Sequence, residues 1–93
     1  MEDINEALSY ASQLFMDLTG FIDIKWRFED EYHVVAYNDG FEGVPKDDNW
    51  EFAVLVSKLT GWEPYHITKD EEWEPYGTKP YEVGLKRPQE QGA

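Results

Sequence analysis

Between Asp3 and Thr19 the apolar residues Ile4, Ala7, Leu8, Ala11, Leu14, Phe15 and Leu18 recur at intervals of three and four. On a 3.6-residue repeat they form one stripe, which predicts an amphipathic helix. Asp3 followed three residues later by Glu6 has the form of a capping box, and Gly20 followed by Phe21 has the form of a helix stop. Glu2, Asp3 and Glu6 lie near the positive end of the helix dipole, where capping and solvation account for them.

A second stretch repeats that outline. Asp48 and Glu51 open it, and Leu59-Thr60-Gly61-Trp62 closes it as Leu18-Thr19-Gly20-Phe21 closes the first. Its interior is ambiguous: Trp50, Phe52, Val54 and Val56 alternate like a strand, while Phe52, Leu55, Val56 and Leu59 fit a helical stripe. A helix is expected, because capping and stop signals outweigh β-branched content.

Elsewhere the period is two. Ile22, Ile24, Trp26 and Phe28 alternate with Asp23, Lys25 and Arg27, predicting a half-buried strand with Glu29-Asp30-Glu31 as its turn. A second strand over 32–37 sets Tyr32, Val34 and Ala36 against His33, Val35 and Tyr37, and Asn38-Asp39-Gly40 stops it. Residues 41–47 read as a loop with Phe41 and Val44 to bury. A third strand over 62–68 contains Pro64, which points to an edge or a late start. Lys69-Asp70-Glu71-Glu72 reads as a turn and Gly77-Thr78-Lys79-Pro80 as a break, after which Tyr81, Val83 and Leu85 alternate in a last strand. The order is α-β-β-α-β-β: an α+β fold, with an antiparallel sheet of about four strands and both helices on one face. The opposite face is expected to carry leftover Tyr, His and acidic side chains. Residues 1–87 read as a single domain and 88–93 as a frayed tail.

Composition changes the picture through charge. Twenty acidic residues stand against eight basic ones in 93, a formal charge of −12. Such a field repels phosphate backbones and anionic membranes and attracts a cation or a basic protein. Four Trp, six Tyr and five Phe supply core material that disordered acidic chains lack. The chain has no cysteine, so disulfides and thiolate metal sites are excluded. With no apolar run of membrane-spanning length, the expectation is a soluble cytoplasmic protein.

Candidate chemistry is sparse. No phosphate-binding glycine loop, metalloprotease motif or nucleophile elbow is present, and no cofactor is implied. His33 and His66 belong to different strands and could approach one another. Asp39, Glu42, Asp47 and Asp48 offer oxygen ligands, but their spacing departs from a calcium-binding loop and a solvated acidic loop accounts for them. The tetrapeptide Trp-Glu-Pro-Tyr occurs at 62–65 and again at 73–76. Core packing accounts for such rings, and a shared surface of rings and carboxylates is the sharper alternative.

Acidic clusters beside predicted turns, combined with these rings, lead to the functional expectation. It is a non-enzymatic acidic module that occupies the basic, nucleic-acid-binding site of a partner protein by imitating phosphates. The analogy is with small phage-encoded inhibitors of host defence and with nuclease immunity proteins, and rests on size and charge alone. The expected contact residues are Glu29, Asp30, Glu31, Asp47, Asp48, Trp62, Tyr65, Asp70, Glu71, Glu72, Trp73, Glu74 and Tyr76, with no catalytic or metal-binding residue among them. Either a monomer or a homodimer would serve. The competing expectations are an accessory subunit, homodimeric through the second sheet face, and a small enzyme acting on a cationic or sugar ligand.

Overall fold

Asp3 starts the first helix, α1 (Ile4–Thr19), by accepting the Asn5 N–H on its side chain at 2.8 Å while its carbonyl takes the Ala7 N–H at 3.0 Å. The computed structural model describes residues 3–19, 24–38, 46–68 and 80–88, in six elements. After α1 come β1 (Lys25–Asp30), β2 (His33–Asn38), α2 (Lys46–Thr60), β3 (Glu63–His66) and β4 (Tyr81–Lys86). The expected α-β-β-α-β-β order is therefore observed. All three strand pairings are antiparallel, and the sheet runs β1-β2-β4-β3. The last strand thus inserts between the second and third.

The ambiguous stretch is helical, and the ambiguity has a physical cause. Asn49, Phe52, Ala53 and Val56 are buried, yet Trp50, Val54 and Leu55 on the far side are also only partly exposed. With apolar residues on both sides, a helical stripe and a strand-like alternation overlap. α2 begins at Lys46, so Asp48 lies inside its first turn instead of capping it. The end is as expected: Gly61 takes φ +84° and donates its N–H to the Ser57 carbonyl at 2.7 Å. Thr60 Oγ1 accepts the Trp62 N–H at 3.2 Å, fixing the exit.

One core lies between the helices and one sheet face. Ala7, Leu8 and Ala11 of α1 meet Phe52, Ala53 and Val56 of α2 above Val34, Ala36, Tyr81, Val83 and Leu85 of the central strands. Phe52 is its hub, edge-on to Phe15 at 5.8 Å and stacked on Trp26 at 6.2 Å. Truncating such a fully buried ring costs about 3–5 kcal/mol. Leu18, expected in the α1 stripe, is 75% exposed because it lies past the end of the packed region.

The first hairpin differs from expectation. Glu29 and Asp30 end β1, and the turn is Glu31-Tyr32. The cause is Asp30 itself, whose Oδ1 accepts the Tyr32 N–H at 2.7 Å and closes the turn locally. A bulge between Phe28 and Asp30 absorbs the extra residue. Pro64 lies in β3, an outer strand as expected, although that strand spans only 63–66. The loop expected over 41–47 ends earlier, because Lys46 and Asp47 already belong to α2. Residues 39–45, the turn expected at 69–72, residues 77–79 of the expected break, the helix stop at Gly20-Phe21 and the tail beyond Pro88 lie outside the described residues.

Candidate functional site

Three surfaces carry chemistry. The first is the sheet face away from the helices, formed by Lys25, Arg27 and Glu29 of β1, His33, Val35 and Tyr37 of β2, Glu82 and Gly84 of β4, and Tyr65 of β3. This is the face expected to carry leftover Tyr, His and acidic residues. Three of its acids, Glu29, Asp30 and Glu82, are locally compensated. Arg27 donates from Nε to Glu29 at 2.8 Å and from Nη2 to Glu82 at 2.6 Å, and its guanidinium lies 5.0 Å from the Tyr37 ring centre. The hydrogen bond with Glu82, helped by that with Glu29 against desolvation, raises the Arg27 pKa above its ordinary value. Arg27 thereby straps β1 to β4 across β2.

At the hairpin end of this face Asp30 holds His33, with Nδ1 3.0 Å from Oδ1 and 3.1 Å from Oδ2. The His33 bond first, then the Tyr32 N–H, lowers the Asp30 pKa. The His33 ring stands edge-on to Tyr65, 6.4 Å between centres. The Tyr65 ring lies against Gly84, where an added methyl would overlap it. Burial, then the charges of Glu29 and Asp30, raise the Tyr65 pKa. The Asp30–His33 pair is an oriented imidazole on an open surface, with both side chains more than a third exposed.

The second surface lies along α2. Trp50 stacks on His66 with 4.0 Å between ring centres and 11° between planes. An open groove of about 380 Å³ beside them is lined by Trp50, Glu51, Val54, Leu55 and Lys58. His66 is thus on the helix side of the sheet and His33 on the other, so the sheet does not bring the two histidines together.

The third surface is the outer face of α1, and sequence reasoning missed it. Glu6, Tyr10, Gln13 and Asp17 follow at spacings that put them on one exposed stripe. Asp17 accepts the Gln13 side-chain amide at 2.9 Å, and Tyr10 is 47% exposed. No lysine or arginine occurs in α1. Among the described residues Asp3, Glu6 and Asp17 make no ion pair. The signal is present as a polar stripe with one tyrosine in it, but capping already accounts for the acids near the first turn.

The expected contact residues divide accordingly. Glu29 and Asp30 are on the open sheet face and paired, Glu31 is exposed in the turn, and the partly buried Tyr65 lies against Gly84. Trp62, expected as a surface anchor, is 7% exposed within the core, because the chain turns inward after Gly61. Asp47 and Asp48 belong to the first turn of α2. Asp70, Glu71, Glu72, Trp73, Glu74 and Tyr76 lie outside the described residues, as do Asp39 and Glu42 of the acidic loop. No three potential metal-ligating side chains come together among the described residues. No described helix is long and apolar enough to cross a membrane.

Comparison of the chain with known protein families, with curated proteins and with solved structures finds no match. What the surfaces can do is therefore argued from their own chemistry.

Proposed function

We propose that this chain is a non-enzymatic acidic module that binds a basic protein surface, with the outer stripe of α1 as part of the contact. The observation that carries the reading is a contrast between two surfaces. Glu29, Glu82 and Asp30 on the open sheet face are paired with Arg27 and His33, whereas Glu6 and Asp17 flank an exposed Tyr10 on a helix without a single base. Uncompensated carboxylates can accept charge-assisted hydrogen bonds from arginine and lysine, and a half-exposed tyrosine between them is a suitable anchor. The site on the partner would be one that otherwise holds phosphates, which accounts for a charge of −12 beyond what solubility requires. The acidic, ring-bearing run from Asp70 to Tyr76 extends the same proposal on sequence alone.

The test starts with a partner captured from the organism's own extract and purified. Association should slow steeply as salt is raised, double-stranded DNA should compete, and Glu6→Gln/Asp17→Asn should bind more slowly than Glu29→Gln. Binding indifferent to salt, to DNA and to the α1 pair would overturn the reading.

A further inference from the structure

The geometry points to β1 as a self-association edge, along which a second copy of this chain adds its own β1 antiparallel about a twofold axis through Arg27. This rests on β1 alone and is independent of the α1 surface.

β1 ends the sheet, and no strand lies beyond it among the described residues. An outer strand presents unpaired N–H and C=O groups, a template for another strand. The two ends of this sheet are unequal in that respect. β3 is four residues long and contains Pro64, which has no N–H to give, whereas β1 is six residues long and has no proline. β1 is also electrically balanced, Lys25 and Arg27 against Glu29 and Asp30, in a chain that carries −12. Of the two outer strands it is the one a second copy is least repelled by.

The register follows from residue types. A twofold through Trp26 would set Lys25 against Arg27 of the second copy. One through Phe28 would set Trp26 against the carboxylate of Asp30 and Phe28 against itself, so the ring of Trp26 would lose an apolar partner. Centring on Arg27 sets Lys25 opposite Glu29 and Trp26 opposite Phe28, with each match made twice by symmetry. The two matches fall on opposite faces: acid to base on the open face, ring to ring on the helix side. Phe28 is 44% exposed although it points to the helix side, and Trp26 beside it is only partly covered. A second copy's ring supplies the missing cover. The two Arg27 side chains meet at the axis already neutralised by Glu29 and Glu82 of their own subunits.

Because each copy carries −12 overall, screening should strengthen this association. That is the reverse of the salt effect on binding a basic partner, so the two proposals fail separately. The experiment is sedimentation velocity on the full chain from micromolar to millimolar concentration at low and high salt, with circular dichroism to verify folding. The expected result is a shift from 10.9 kDa towards twice that mass, reached at lower protein concentration in high salt. Phe28→Lys should weaken the dimer about tenfold or more, two ring pairs being lost at once. Lys25→Glu and Glu29→Lys should each weaken it, and the double variant should recover, which tests the register even if Phe28→Lys fails to fold. A wild-type chain that stays monomeric at both salts, a folded Phe28→Lys that dimerises normally, or a charge swap without recovery would overturn the proposal.

Discussion

The side-chain amide of Asn49 in α2 donates to the main-chain carbonyl of Tyr81 in β4 at 2.7 Å, entirely out of contact with solvent. The same side chain accepts a hydrogen bond from Asn38 Nδ2 at 2.8 Å, so one buried residue ties α2 to both central strands. Asn38 Oδ1 is the one buried side-chain atom found without a partner among the described residues. Removing Asn49 takes away both bonds and leaves Asn38 with neither side-chain polar atom paired, at about 1–3 kcal/mol per buried orphan, whereas removing Asn38 leaves Asn49 its bond to β4. Asn49→Ala should therefore lower the urea midpoint more than Asn38→Ala, with the slope unchanged. Equal losses would mean that the chain of bonds does not hold α2 down.

What is legible in the sequence is what the chain encodes locally. The Asp3 cap, the Gly61 stop and the buried alternation of Tyr81, Val83 and Leu85 each follow from a few adjacent residues. The strand order is not legible, because inserting β4 between β2 and β3 is decided by non-local pairing and a shared core. Glu29 and Asp30 read as a repelling cluster only if β1 is ended at Phe28. Carried to Asp30, the alternation puts Arg27 and Glu29 on one face. Glu82 as a second partner of Arg27, 55 residues away, has no local signal at all. The acidic, ring-bearing run from Asp70 to Tyr76 lies outside the described residues and gains nothing from the geometry.

Gly84 and Tyr65 are a fitted pair: the strand residue has no side chain and the ring occupies the space one would fill. Gly84→Ala should destabilise by about 1–3 kcal/mol through forced displacement of the ring. In a Tyr65→Ala background the same substitution should cost much less, and the double-mutant cycle measures the difference as coupling. Additive losses would show that the ring moves away freely.

Asp30 gives the acid limb of the stability profile a specific contributor. Its folded-state pKa is lowered, chiefly by His33 and then by the Tyr32 N–H. Its stabilisation is therefore present above the unfolded value and is lost as pH falls through the lowered one. Asp30→Asn should have a lower melting temperature than wild type at neutral pH, and the two should converge as pH falls below about 4. A gap that persisted at pH 2 would assign the effect to the turn geometry instead of the charge.

Tyr65 supplies the opposite limb. Burial, then Glu29 and Asp30, raise its pKa, so the protein favours the neutral phenol. The contribution is complete below the ordinary tyrosine value and disappears as pH rises through the elevated one. Ultraviolet titration should show a phenol ionising above the ordinary tyrosine range, and Tyr65→Phe should delete that late step. Neutralising the two nearby acids with Glu29→Gln/Asp30→Asn should move the step earlier without abolishing it, because desolvation is the larger cause. If the step moved fully into the ordinary range, charge rather than burial would be what holds the proton on Tyr65.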